Sequence, residues 1–161
     1  MELHVSTNPG HGGHSDLFLK IPLLGVDVSA DTYYVVLAIE DRQDSVSTQD
    51  VRRGIVGLLR YWQEQTSACG DCRTIYLPFD FSDQYTGCLQ VAANGLNVQL
   101  CYGFSLIEGW RVNPLNPAMY CHEVTDFKAH NSGMIELPRQ QFIDALCLAI
   151  AEVERAGVSI Q

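Results

Sequence analysis

Residues 86–104, TGCLQVAANGLNVQLCYGF, read as a β-hairpin folded at Asn94-Gly95. Asn-Gly is the pair that best tolerates the two positive φ angles of a type I′ turn, and both flanks alternate in polarity. On the second flank Leu96, Val98, Leu100 and Tyr102 share one face, and Asn97, Gln99, Cys101 and Gly103 share the other. The first flank sets Leu89, Val91 and Ala93 against Cys88, Gln90 and Ala92. Side chains of a strand alternate between its two faces. The hairpin therefore predicts a sheet with one covered side and one available side.

Reading outward, residues 73–81, RTIYLPFDF, form the strand before the hairpin. Pro78 cannot donate to a ladder, which puts that strand at an edge or a bulge. Asp80 to Gln84 make a polar turn into the hairpin. Residues 105–112 read as a further strand, Asn113-Pro114 and Asn116-Pro117 mark a turn, and residues 119–124 give a last strand. Residues 125–137, with Asn131-Ser132-Gly133, read as a loop. On the N-terminal side, residues 17–24 form an edge strand broken at Pro22, and residues 25–31 form a turn. Residues 32–40, TYYVVLAIE, are β-branched and aromatic on both faces, the composition of a central strand.

Two helices complete the pattern. The first is capped by Ser47 or Thr48, carries Asp50 in its first turn, and repeats Val51, Ile55, Leu58, Leu59 and Trp62 at helical spacing. Gly54 and Gly57 predict close backbone approach on that side. The second starts near Pro138 and stops at Gly157, with Phe142, Leu146, Ala149, Ile150 and Val153 as its core stripe. Ile143, Cys147 and Leu148 widen its apolar arc, so it is either covered on two sides or forms a homodimer surface. Strands joined by short turns make an antiparallel meander, and the helices cover one face: an α+β two-layer sandwich. Residues 1–16 form a flexible N-terminal arm and residues 17–161 a single domain.

The chain has 161 residues, enough for one domain with a real core. Its 19 acidic and 10 basic residues give a net charge of −9, a field that repels nucleic acid and anionic membrane surfaces and admits a basic protein partner. No segment has the roughly 18 apolar residues of a membrane span and the start lacks a secretory pattern, so a cytoplasmic protein is expected. The six cysteines then read as reduced thiols.

Several constellations could carry chemistry. Cys69-Gly-Asp-Cys72 follows a helix, where the dipole raises a thiol pKa, and this disfavours redox catalysis. With Cys121 and His122 the pair could hold zinc, as two thiolates in one turn plus a further Cys and His. His4, His11 and His14 offer imidazoles, but on a glycine-rich arm without rigid geometry. Arg52, Arg53 and Arg60 share the surface of the first helix and could form an anion site, although a solvated basic face is the simpler reading.

Asp80 and Asp83 could divide acid and base roles in hydrolysis, or cap turns. Tyr85, Glu108 and Trp110 join them in an aromatic, acid-rimmed meander suited to protein recognition. No nucleophile elbow or phosphate loop is present, and no cofactor is expected. The preferred reading is a non-catalytic binding module, similar in size and acidity to small immunity or antagonist proteins that cover a basic toxin domain. The alternatives are a small zinc-dependent or hydrolytic enzyme, and a structural homodimer.

Overall fold

The computed structural model describes residues 1–8, 14–41 and 45–156, with Asn131 and Ser132 described by their backbone alone. Two antiparallel sheets are present. The smaller has the order β1 (His4–Thr7), β2 (Leu17–Ile21), β3 (Val26–Ala30). The larger is a meander of β4 (Thr74–Phe81), β5 (Thr86–Asn94), β6 (Asn97–Ser105) and β7 (Lys128–Pro138). The helices are α1 (Tyr33–Glu40), α2 (Thr48–Ala68), α3 (Ala118–Glu123) and α4 (Arg139–Ala156). The fold is an α+β sandwich, as the residue pattern predicts.

The hairpin forms with a turn one residue later than expected. Asn94 pairs with Asn97, leaving Gly95 and Leu96 as the two loop residues. Gly95 has φ 58°, and no other residue of this turn has a positive φ. A single positive φ at the first central position fits a type II′ turn rather than type I′. Register then places Leu89 opposite Tyr102, Val91 opposite Leu100 and Ala93 opposite Val98. All six are buried.

The opposite face of this sheet is only partly open. Gln90, Ala92, Asn97 and Gln99 are half-buried near the turn. Further along, Phe127 lies so close that a Cβ on Gly103 would sit 2.6 Å from its ring. The Tyr120 hydroxyl reaches the Thr86 carbonyl at 3.1 Å and the Ser105 hydroxyl at 2.9 Å. Half of the side expected to be bare is therefore sealed by α3 and the segment after it.

Helix α2 matches its prediction. Ser47 and Asp50 form a reciprocal capping box, and Val51, Ile55, Leu58, Leu59 and Trp62 are buried. The Trp62 indole N–H donates to the Pro78 carbonyl at 3.1 Å, and its ring meets Phe79 edge-on at 6.1 Å. That carbonyl sits where β4, an edge strand, slips register between Pro78 and Asp80. A Cβ on Gly54 would lie 2.8 Å from Val35 Cγ1, so this glycine admits α1, whereas Gly57 has no such neighbour. Helix α4 packs against α2, joined by Arg60 to Glu154 at 2.8 Å, and against β1, where His4 meets Glu152 at 3.3 Å. Leu148 stays exposed.

Six segments differ from expectation. Residues 32–40 are helix α1, not a central strand: an apolar run of this length has no periodicity to separate the two, and Val35 and Ile39 bury one helical turn apart. Residues 26–30 are strand β3 rather than turn, pairing with β2. The segments read as strands after the hairpin are a 3₁₀ turn at Gly109–Arg111 and helix α3. The loop around Asn131-Ser132-Gly133 lies within β7, at the point where pairing jumps from Cys101 with Met134 to Gly103 with Ala129. The arm is likewise shorter than residues 1–16: His4–Thr7 pair with β2, and Leu3 and Val5 are buried. Gly157 and His11 lie outside the described residues.

Replacing Trp62 with Ala removes a fully buried ring and strands the Pro78 carbonyl. Urea unfolding should show a loss of about 3–5 kcal/mol.

Candidate functional site

The loop between β4 and β5 faces the start of α1 across an open recess of ≈ 730 Å³. Its wall on one side comes from Asp80, Asp83 and Tyr85, and on the other from Asp31, Tyr33 and Tyr34. Three of these, Asp80, Asp83 and Tyr85, belong to the recognition surface read from the sequence. The other three were missed there because the Tyr33-Tyr34 pair reads as strand and Asp31 as a turn residue.

The α1 wall is fixed from beneath. Asp16 is buried, and its carboxylate accepts from the Thr32 backbone N–H at 2.8 Å and from the Thr32 hydroxyl at 2.7 Å. A buried carboxylate is tolerated only when its oxygens are hydrogen-bonded. The neighbouring Asp31 accepts from the Ser15 N–H at 2.6 Å and meets His14 Nδ1 at 3.1 Å. Ser15 takes a left-handed φ of 49° to do so, a conformation that costs energy for a non-glycine residue. The His14 ring stacks on Tyr33 at 5.7 Å.

The β4–β5 wall is held by another close approach. Gly109 N–H donates to the Ser82 carbonyl at 2.6 Å, and a Cβ there would lie 2.6 Å from the Ser82 nitrogen. Only glycine allows the 3₁₀ turn to back onto this loop. The Tyr85 hydroxyl donates to Asp80 at 3.1 Å, and the Tyr34 hydroxyl donates to Asp83 across the recess.

Charge in the recess is set by these contacts. Burial pushes the Asp80 carboxyl above its usual range, the Tyr85 hydrogen bond opposes this, and the Asp31 charge adds to the rise. Burial also works to raise Asp31, but the Ser15 N–H and His14 outweigh it and hold that carboxyl below its usual value. The bond to Asp83 raises the Tyr34 phenol to about 12, with burial helping. No Lys or Arg is among the described residues lining the recess.

The remaining sequence candidates lie elsewhere. Glu108 pairs with Arg111 at 3.4 Å and Trp110 is exposed, and neither lines the recess. Cys69 caps the end of α2 with its thiol pushed up by burial, against the pull of Arg139 and Arg73. Cys72 is exposed on a left-handed turn, Cys121 is on the buried side of α3 with its thiol also raised by burial, and His122 is exposed. Among the described residues no three His, Cys, Asp or Glu side chains converge as a metal site requires. Arg53 and Arg60 are each engaged by a carboxylate, Asp50 and Glu154. Among the described residues, no helix is long and apolar enough to cross a membrane. No family model, curated protein or solved structure matches the chain.

Two stability measurements check this geometry. Gly109→Ala must displace backbone at Ser82 and should lose roughly 1–3 kcal/mol in urea unfolding. Asp80 behaves oppositely. A carboxyl raised by burial favours the fold while protonated, below its ordinary value of 3.8, and that contribution is lost as pH rises through its raised value. Asp80→Asn removes the buried charge and keeps an acceptor for Tyr85. Its Tm at pH 7 should exceed the parent's by about 2 °C, and the gain should vanish near pH 3.

Proposed function

We propose that this chain is a non-catalytic, cytoplasmic binding module that docks a basic protein by taking a cationic side chain into the tyrosine-lined recess. In this it would work as small immunity or antagonist proteins do, masking a basic surface. One observation carries the reading: three carboxylates line the recess and no Lys or Arg is among its described lining residues.

Several acidic side chains elsewhere have basic partners. Asp27 meets Lys20 at 3.2 Å, Asp50 meets Arg53 at 2.7 Å, and Glu154 meets Arg60 at 2.8 Å. Asp80 and Asp83 instead hold tyrosine hydroxyls, and Asp31 holds Ser15 and His14. The tyrosine hydroxyls and the Ser15 N–H orient the carboxylates without cancelling their charge. A guanidinium or ammonium group entering the recess would meet all three, with the exposed Tyr33 and Tyr85 rings able to contact its face. Asp80 and Asp83 each being tied to its own tyrosine favours recognition over shared acid and base work. The net charge of −9 adds long-range attraction for a basic partner.

Titration with N-acetyl-arginine methylamide, followed by amide NMR shifts, tests the reading. Shifts should concentrate at Asp31, Tyr34, Asp83 and Tyr85, saturate in the millimolar range and weaken with salt. Asp83→Asn should weaken binding about 5-fold, equivalent to ~1 kcal/mol. The N-acetyl-glutamate analogue should leave the spectrum unchanged. Equal response to both analogues, or none to the arginine compound, would refute a cation-selective recess.

A further inference from the structure

A second, smaller hollow of ≈ 260 Å³ adjoins the recess. Ser29, Asp80 and Tyr85 line both, so the two are separated by a partition one side chain thick. The hollow differs in character. Val28, Tyr102 and Phe104 give it apolar walls, and the Phe104 ring meets Tyr85 edge-on at 5.9 Å, which fixes the partition.

Strand β3 runs alongside both. Asp27, Val28 and Ser29 flank the hollow, and Ser29, Ala30 and Asp31 flank the recess. At about 3.3 Å per residue the two cavities are centred roughly 7 Å apart along the strand. Same-side neighbours of an extended peptide, two residues apart, span about 7 Å.

We infer that the recess and the hollow form one groove for an extended, basic segment of the partner protein. A cationic side chain enters the recess, and an aliphatic or aromatic side chain two residues away enters the hollow. This rests on the binding reading above and adds to it the conformation and spacing of the segment. Charge complementarity selects the occupant: the recess is acidic with no Lys or Arg among its described lining residues, and Val28, Tyr102 and Phe104 wall the hollow beside it, with Asp27 and His130 at its lining. An aliphatic or aromatic anchor beside a charged one supplies affinity that a lone cation lacks.

The test compares Ac-Gly-Arg-Gly-Leu-Gly-NH₂ with three relatives by calorimetry and amide NMR. The relatives replace Leu with Gly, replace Arg with citrulline, or place Arg and Leu adjacent. The parent peptide should bind about tenfold more tightly than N-acetyl-arginine methylamide and shift the amides of Asp27 to Ser29. The Leu-to-Gly and adjacent-anchor peptides should lose that gain and keep arginine-level binding, and the citrulline peptide should bind far more weakly. Val28→Thr, which preserves side-chain shape, should reduce the gain and leave the methylamide affinity unchanged. If the methylamide binds but the parent and the Leu-to-Gly peptide bind equally, the two-anchor groove is wrong and the cation recess stands. If the methylamide itself fails to bind, the recess reading fails and takes the groove with it.

Discussion

The hydrogen bonds from Thr32 to the buried carboxylate of Asp16 are the constraint on which the proposed site depends. Asp16 lies at the entrance to the central strand of the small sheet, and Thr32 precedes the first residue of α1. Removing a carboxylate from water is costly unless both oxygens find donors, and Thr32 supplies one to each. The pairing therefore sets where α1 begins. With the helix start fixed, Asp31 lies just before it and Tyr33 and Tyr34 at its first turn, against the β4–β5 loop.

The large sheet supplies the facing wall by a different means. Trp62 anchors the bulged edge strand through the Pro78 carbonyl, and the slip in register beyond it carries Asp80 toward the recess. Gly109 lets the 3₁₀ turn close behind Ser82. What results is a cluster of carboxylates under partial burial, with one of them held above its usual pKa by that burial. The raised Asp80 carboxyl works against stability at neutral pH, whereas the lowered Asp31 carboxyl favours the fold there. Keeping a destabilised Asp80 in a recess with no Lys or Arg among its described lining residues is understandable if a cation arrives from outside.

Much of the frame was legible in the sequence, and the site was legible by half. Alternation marked β5 and β6, and helical spacing marked α2 and α4, because each buries one clear face. The Asp80, Asp83 and Tyr85 side of the recess stood out as polar residues between apolar strands. The other side did not, for physical reasons. TYYVVLAIE has no polar phase to distinguish helix from strand, so Tyr33 and Tyr34 could not be assigned a direction. The Asp16 to Thr32 contact spans 16 positions, and no local pattern announces it. Glu108 and Trp110 show the reverse error: the turn between them backs onto the β4–β5 loop through Gly109, but neither side chain lines the recess.

The most direct test of this account is amide hydrogen exchange on Asp16→Ala, combined with N-acetyl-arginine methylamide titration of the same protein. Losing two charge-assisted bonds worth about 1.5–3 kcal/mol each should speed exchange at the amides of Thr32 and Val36 by roughly 100-fold or more. The amides of β5 and β6 should remain protected, and the arginine-induced shifts at Asp31 and Tyr34 should disappear. A variant whose α1 start exchanges freely while the arginine compound still binds as in the parent would contradict the dependence of the recess on Asp16.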